Sequence, residues 1–396
     1  MSVHYDSTTK RITGGEKTGQ LFLIGGLMFS ALSGLGYFMN AGQFFYSWLV
    51  AFIFWTTIGL GALFFILVHY LAHSIWSVVI RRVAETIMIV LPWLVIFFLP
   101  ILFGMHELYH WTHKEVVMSD AILLRKSAYL NTTFFIIRAA FYFTVWFFLT
   151  RIMYRKSLAQ DDGEETTLYR HLRPIAAPGM FLFAITLTFS AFDWVMSLDP
   201  HWYSTIFGVY IFAGAFVTIF AAFILLLLAL NHHGIMTEEV TIEHYHDLGK
   251  FLFAFTVFWT YIAGAQYFLI WYGNIPEETV WFIHRWEGSW KYVSLFLMAG
   301  HFAIPFLILL FRASKRNLRR LGVMAGLIFV MHYVDLYWLI MPEHFRDGVS
   351  PSWMDITSWL GIGGIFLYVF WRNFTAHAVL PIKDRYLTKS MKFVNQ

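Results

Sequence analysis

The chain has 396 residues, of which 59% are hydrophobic and only 13% are charged, whereas soluble domains carry about 25% charged residues. Such a surface suits hydrocarbon, and the Lys and Arg residues behind the net charge of +4 lie in short loops between apolar segments, which argues against nucleic acid as a partner. The sequence contains no Cys, which excludes disulfides, thiolate-bound iron–sulfur clusters and covalently attached haem c within this chain.

Ten apolar segments are long enough to cross a bilayer, whose hydrocarbon core requires about 20 helical residues. They are residues 18–38, 43–71, 75–104, 131–154, 174–198, 203–231, 249–273, 288–312, 319–341 and 354–378. We therefore predict an all-α membrane protein with an N-terminal segment 1–17, a ten-helix transmembrane domain 18–378 and a C-terminal tail 379–396. The longest connectors, 105–130 and 155–173, predict loops or short interfacial helices.

The distribution of basic residues predicts the orientation. The two terminal segments and the loops on their side contain 21 of the 28 Lys and Arg residues, whereas the opposite loops contain 6. Cytoplasmic loops are enriched in Lys and Arg. We therefore expect both termini to lie in the cytoplasm.

A weak internal repeat relates the two halves of the chain. Asp193, near the end of predicted helix 5, precedes Pro200 by seven residues, and Asp335, near the end of predicted helix 9, precedes Pro342 by the same spacing. The spacing predicts two four-helix units, helices 2–5 (about 43–198) and helices 6–9 (about 203–341), related by an axis along the membrane normal.

Charged groups inside a membrane are costly and are candidates for function. On the outer half, Arg138 of helix 4 and Asp193 of helix 5 lie at similar depth, so we expect them to pair. In the second unit, His301 occupies the place of Arg138 and faces Asp335. His332 precedes Asp335 by three residues and shares its helix face. We interpret Asp335, His332 and His301 as a proton-exchanging cluster, because imidazole titrates near neutral pH.

On the inner half, Glu85 lies in helix 3 beside Arg81 and Arg82, and His69 and His73 flank the same turn. An inner and an outer cluster together suggest two half-paths for protons. The alternative is that these groups are structural ion pairs that fix neighbouring helices.

Histidine-rich segments are candidate sites for a metal ion or haem. His106, Glu107 and His110 form a literal H-E-x-x-H pattern, which on a continuous helix would indicate a zinc protease. The pattern lies at the predicted outer membrane surface with no catalytic domain around it, so an interfacial segment is the preferred interpretation. The stretch from His232 to Asp247 has no recognised ligand spacing and is interpreted as a solvated loop. Haem held by His301 and His332 stays open as a less favoured alternative.

Two sequence runs carry a family resemblance. They are HDLGKFLFAFTVFWTYIAGAQYFLIWYGN at 246–274 and SLDPHWYST at 197–205. The chain resembles, over almost its whole length, the second NrfD-like (polysulfide-reductase-type) membrane subunit of bacterial alternative complex III, a quinol:electron-acceptor oxidoreductase. The resemblance implies two four-helix bundles plus two peripheral helices.

The resemblance also implies a role and partners. The subunit would hold the complex in the membrane and conduct protons, beside a sister NrfD-like subunit that oxidises menaquinol or another quinol. Further partners would be an iron–sulfur subunit, multihaem and monohaem cytochrome c subunits, an aa3-type oxidase and membrane lipids. No cofactor or metal would be bound in this subunit, since haem c and the iron–sulfur clusters would belong to the partners.

We therefore expect a structural and proton-conducting subunit of a respiratory complex. The residues expected to form the proton path are Glu85, Arg138, Asp193, His301, His332 and Asp335. A stand-alone secondary transporter is the main alternative, because charged groups near the membrane centre in repeated bundles fit it as well. A membrane zinc metalloprotease is a third possibility.

Overall fold

The computed structural model describes residues 3–163 and 168–395. Residues 1–2 of the predicted N-terminal segment, 164–167 of the connector 155–173 and 396 of the tail lie outside the described residues. The protein is all-α, with 78% of the described residues in helices. Its ten long helices are α1 Glu16–Tyr37, α2 Ala41–Ala72, α3 Val78–Phe103, α4 Thr132–Asp162, α5 Leu168–Leu198, α6 Phe207–His232, α7 Ile242–Gly273, α8 Trp290–Leu309, α9 Leu318–Glu343 and α10 Trp353–Ala376. Each is long and apolar enough to cross a membrane, which confirms the predicted number of spans.

Three helices extend beyond the apolar segments that predicted them. The last turns of α4 and the first turns of α5 and α7 continue into polar sequence. Hydropathy detects only the part of a helix that hydrocarbon surrounds, whereas charged residues such as Glu, Lys and Arg are good helix formers in water. The connector 155–173 was predicted to form loops or short helices. In the structure, its described residues belong mostly to the ends of α4 and α5.

The ten helices form two groups of four and one pair. Helices α2–α5 pack on one another, as do α6–α9, and α1 packs along α10 beside them. The two groups meet where α2 contacts α6 and α9. Other helices cover α2 on nearly all sides. As a result, 94% of the residues in its most apolar stretch are buried within the protein. Its continuous hydrophobic pattern therefore reflects contact with other helices rather than with lipid.

Small residues allow α1 and α10 to approach closely. A Cβ atom on Gly26 would lie 2.6 Å from the backbone nitrogen of Ile365, so only glycine fits at this crossing. The hydroxyls of Ser33 and Ser358 are hydrogen-bonded at 2.6 Å in the same interface. Close backbone packing and hydrogen bonds between helices are typical of helix association in lipid. Moving an apolar side chain from lipid into a helix interface changes its free energy little, so other contacts must hold the helices together.

Two of the long helices are interrupted where the sequence contains proline. The middle of α3 is a 3₁₀ turn, Leu91–Leu94, that contains Pro92. In α8, residues Met298–Ala303 form a π-helical turn immediately before Pro305. A proline lacks an N–H and displaces the preceding turn, and π-turns inside α-helices occur frequently at functional sites. His301 lies in this π-turn.

The two chain ends meet on one face of the helical domain, here called the terminal face. A two-stranded hairpin, β1 His4–Asp6 and β2 Arg11–Thr13, covers part of this face. The backbone N–H of Val379 in the tail donates to the carbonyl of Lys10 at 2.8 Å, and the Lys10 ammonium binds the buried carboxylate of Glu239 at 2.6 Å. The connector between α6 and α7 therefore joins both termini, and the helix ends away from them form the opposite face.

Candidate functional site

A buried ion pair joins α4 and α5 towards the opposite face. The Arg138 guanidinium donates from Nε to Asp193 Oδ2 at 2.8 Å and from Nη2 to Oδ1 at 2.9 Å. The Tyr142 hydroxyl also donates to Asp193 Oδ2, at 2.7 Å. Arg138 in turn lies 3.8 Å from the centre of the Tyr129 ring. The predicted pairing is confirmed, and the Asp193 carboxylate is both charge-compensated and saturated with donors.

The carboxylate of Asp335, in α9, is bound by neutral donors alone. The hydroxyl of Tyr210 in α6 donates to Oδ1 at 2.5 Å, and the indole of Trp259 in α7 donates to Oδ2 at 3.2 Å. Asp335 is 1% exposed, and within residues 3–163 and 168–395 it forms no ion pair. A buried carboxyl group without a cation beside it can exist in its neutral or its ionised form, which a proton carrier requires.

His332 lies one turn before Asp335 and points towards the first helix group. Its Nε2 is hydrogen-bonded to Thr57 Oγ1 of α2 at 2.9 Å, whereas its Nδ1 is buried and has no partner among the described residues. The ring lies against Gly214 of α6, where a Cβ atom would be 3.0 Å from His332 Cε1. His332 thus connects the two helix groups beside Asp335.

His301 completes this cluster through an aromatic contact. Its ring centre lies 3.9 Å from that of Trp259, the indole that donates to Asp335. The side chain is fully buried, and both of its ring nitrogens lack a hydrogen-bond partner within the described residues. A buried imidazole with an unused donor and acceptor is unfavourable by about 1–3 kcal/mol for each group. His301 was predicted to face Asp335, and Trp259 contacts both of them.

Glu85, near the terminal face, is enclosed by cations and hydroxyls. Arg81 Nε lies 3.3 Å from Oε1 and Arg82 Nη1 lies 3.0 Å from Oε2. The hydroxyls of Tyr70 and Ser157 donate to the same carboxylate at 3.1 and 2.8 Å. Glu85 resembles Asp193 in this respect, because its charge is compensated and its oxygens are occupied.

The same network closes the terminal face. Arg81 binds Asp384 of the C-terminal tail at 2.5 Å, and Arg82 binds Asp161 at the end of α4. His69, which the sequence places near Glu85, is instead hydrogen-bonded to Ser77 and Tyr169 at 2.8 and 2.9 Å. The groups around Glu85 therefore connect α3, α4 and the tail. Among the described residues, no hydrogen bond links them to the Asp335 cluster.

The H-E-x-x-H segment is not one continuous helix. Met105–Leu108 forms a single turn, Tyr109 is extended with φ −122° and ψ 106°, and a 3₁₀ turn starts at His110. The imidazoles of His106 and His110 are therefore not held on one helical face, as the protease pattern requires. Within the described part of the chain, no three His, Asp or Glu side chains are arranged to hold a metal ion.

The stretch interpreted as a solvated loop is partly helical and buried. Residues from His244 to Asp247 belong to the first turns of α7 and are at most 6% exposed. His244 Nε2 is 3.0 Å from the carbonyl of Ser390 in the tail. The interpretation was wrong for these residues because the tail covers them, which the local sequence does not indicate.

Sequence reasoning also missed a buried cation between α7 and α8. Arg285 is 0% exposed and donates to the carbonyls of Trp281, Trp338 and Leu339 at 2.9, 3.2 and 2.8 Å. Its guanidinium lies 3.4 Å from the centre of the Trp281 ring. Burial lowers the pKa of Arg285 to about 10, and the Glu343 carboxylate at 3.6 Å opposes that shift. Trp281, four residues before Arg285, is the signal in the sequence that could have indicated this site, because an arginine stacks favourably on an indole ring.

A cavity of about 530 Å³ lies between the α1–α10 pair and the two helix groups. Aromatic side chains from four helices contribute to its wall, including Phe22, Trp55, Phe329 and Trp359, and no charged side chain lines it. The Trp55 indole donates to the carbonyl of Trp359, so this donor is already used. Such a space suits a hydrocarbon chain rather than a polar group.

Comparison with known proteins identifies no relative, so the class of protein is defined by the fold alone. The chain matches no protein-family model, and no curated protein matches it. The helices and their buried polar groups define a multi-pass, all-helical membrane protein with ten candidate spans.

Proposed function

We propose that this protein is an integral membrane subunit of a respiratory quinol:electron-acceptor oxidoreductase of the alternative complex III type. In this role it anchors the complex and conducts protons. The observation that carries the proposal is the Asp335 carboxylate, which is buried among neutral donors with two imidazoles beside it. The sequence runs at 197–205 and 246–274 support the choice of complex.

The six residues of the proposed path have different roles in this proposal. Asp335, His332 and His301 are the proton-exchanging groups, because their buried atoms are not neutralised by cations. Arg138 with Asp193, and Glu85 with its two arginines, set the electrostatic potential around the path and hold the helices in place. A proton moving through charge-compensated pairs would have to separate them at high cost, whereas the Asp335 cluster requires no such separation.

The proposed setting follows the resemblance. The subunit lies in the bacterial cytoplasmic membrane with the terminal face in the cytoplasm, where the basic loops favour it. Its partners are the sister NrfD-like subunit, an iron–sulfur subunit, multihaem and monohaem cytochrome c subunits and an aa3-type oxidase. The complex uses menaquinol or another quinol, and this subunit itself binds no redox cofactor.

Gentle detergent purification from the native membrane through a C-terminal tag tests this proposal. The expected result is a reduced-minus-oxidised spectrum with haem c absorbance, and mass spectrometry that identifies an iron–sulfur protein and cytochromes in the same fraction. The untagged strain, taken through the same procedure, controls for carry-over. A colourless protein that purifies alone would contradict the proposal.

A stand-alone secondary transporter is the second candidate. The observation that favours it is that Asp193 and Asp335, which occupy matching places in the predicted repeat, are both buried. A transporter would purify without haem-bearing partners and would move a solute when reconstituted alone in vesicles. The zinc metalloprotease has no such support, since the helix breaks within its motif.

A further inference from the structure

The hydrogen bonds of Thr57 determine which nitrogen of His332 carries its proton. The Thr57 hydroxyl lies 2.7 Å from the carbonyl oxygen of Phe54 and 2.9 Å from His332 Nε2. A carbonyl oxygen only accepts, and a hydroxyl has a single proton to donate. The Thr57 proton is therefore directed to Phe54, and the Thr57 oxygen accepts from His332.

This arrangement fixes the tautomer of the imidazole. His332 must carry its proton on Nε2, because the tautomer of a histidine is set by the hydrogen bond that one of its nitrogens makes. Its Nδ1 then presents a bare lone pair, and this buried atom has no partner among the described residues. The unpartnered atom is the one that can receive a further proton.

Nδ1 of His332 and the carboxylate of Asp335 both lie beside Gly214. A Cβ atom on Gly214 would lie 3.1 Å from His332 Nδ1 and 3.8 Å from Asp335 Oδ2. Because a Cβ atom at this position would be in tight contact with the imidazole, Gly214 allows the His332 ring to pack against α6 beside Asp335. Both residues project from the same face of α9, one turn apart.

We propose that Thr57 is a positioning residue that holds His332 as its Nε2–H tautomer, so that Nδ1 exchanges a proton with Asp335. No hydrogen bond joins Nδ1 to the Asp335 carboxyl group among the described residues, so the transfer passes through one bridging water molecule. The Asp335 carboxyl O–H bond breaks as its proton passes to the water, and the water gives up another of its protons to form the Nδ1–H bond, which leaves a carboxylate and an imidazolium. The Nε2–H bond to Thr57 is retained throughout, so the proton also leaves from Nδ1. This inference rests on the proposed proton-conducting function.

The hydrogen bond between Thr57 and His332 joins the two helix groups, and in this proposal it also determines which nitrogen of His332 accepts a proton. Thr57 belongs to α2 of the first group, whereas His332 and Asp335 belong to α9 of the second. A small displacement of α2 relative to α9 would break the 2.9 Å hydrogen bond and release the imidazole to either tautomer. The proton-accepting atom is therefore set by a residue of the other helix group.

Solid-state ¹⁵N NMR of the purified protein, labelled at histidine, tests the tautomer directly. Subtracting the spectrum of His332→Gln identifies the two ring nitrogens of His332 among the 17 histidines. The expected wild-type signals are a protonated Nε2 and an unprotonated Nδ1. Thr57→Val removes the hydroxyl with little change of shape, and a Nδ1–H signal should appear. Thr57→Ser keeps the hydroxyl and should retain the wild-type signals.

A wild-type Nδ1–H signal, or a spectrum that Thr57→Val leaves unchanged, would overturn the assignment. The wild-type spectrum decides the tautomer by itself if the valine variant does not assemble. Proton flux in vesicles is measured separately on the same variants, and Thr57→Val should lower it while Thr57→Ser does not. If the tautomer is as expected but Asp335→Asn leaves the flux unchanged, the proposed function fails and the tautomer assignment stands.

Discussion

Arg138 and Asp193 form a two-pronged ion pair between neighbouring helices, with N–O distances of 2.8 and 2.9 Å. The corresponding carboxyl group of the second helix group, Asp335, has hydrogen bonds but no cation. The two aspartates that the sequence makes similar are therefore chemically different. One has the features of a structural group, and the other has those of a proton carrier.

Replacement of Arg138 should destabilise the protein strongly. Arg138→Met leaves Asp193 as a buried charge without its partner, and breaking a buried pair in this way costs about 3–5 kcal/mol. Thermal unfolding in detergent should show a clear fall in Tm. Arg151→Met, which removes an exposed arginine from the same helix, should change Tm little. The double variant Arg138→Met/Asp193→Asn should recover part of the loss, and its failure to do so would contradict the pairing as the cause.

Asp335→Asn should abolish proton movement without preventing assembly. The amide oxygen can still accept from Trp259 and the amide nitrogen can donate to the Tyr210 oxygen, so packing is kept while the exchangeable proton is lost. We expect the rate of proton transfer through the helical domain to fall by about 10²-fold, the lower range for loss of a positioned acid–base group. A pH-sensitive dye in reconstituted vesicles measures it. Normal flux with Asp335→Asn, or loss of assembly, would favour a structural role.

Arg285→Lys should weaken the contact between α9 and the segment that precedes α8. Lysine lacks the planar fork with which Arg285 reaches three carbonyl oxygens and stacks on Trp281. Loss of a hydrogen bond from a charged donor costs about 1.5–3 kcal/mol, so Tm should fall. Arg346→Lys is the matched control, because Arg346 also lies 3.6 Å from Glu343 but is 58% exposed. Equal effects of the two variants would contradict this explanation.

The sequence predicts the charged part of the site better than the neutral part. Arg138 and Asp193 could be paired from sequence because they have opposite charges at similar depth in consecutive helices. Tyr210 and Trp259 could not be chosen as partners of Asp335, since the chain has 20 Tyr and 17 Trp residues and hydropathy does not distinguish them. The hydroxyl of Thr57 gives no signal either, because its importance depends on how α2 crosses α9.

Long-range contacts explain the other differences between sequence and structure. The ten spans follow from local hydropathy and were predicted correctly in number. The burial of His244 depends on the tail more than 140 residues later, and Asp384 of the same tail completes the Glu85 network through Arg81. The contact of Trp259 with both His301 and Asp335 joins α7, α8 and α9, and local hydropathy does not indicate it.

Acid should loosen the connector between α3 and α4. Asp120 accepts from the backbone N–H groups of Ile122 and Leu123, and its Oδ2 lies 2.6 Å from His201 Nε2. The hydrogen bond with His201, followed by that with Leu123, holds the pKa of Asp120 below its ordinary value. A carboxyl group whose pKa is lower in the folded state stabilises that state above its ordinary pKa, and this contribution disappears as pH falls through the lowered value.

The stabilisation by Asp120 should therefore be present at neutral pH and be lost from about pH 4 downward. Hydrogen exchange of the amides in residues 114–130 measures it, with faster exchange expected as the carboxyl group is protonated. In Asp120→Asn, the exchange rates of these amides should follow only the intrinsic pH dependence of amide exchange over this range. Asp199→Asn on the facing loop leaves the hydrogen bond intact and should keep the wild-type profile. An unchanged acid response in Asp120→Asn would show that another group controls the connector.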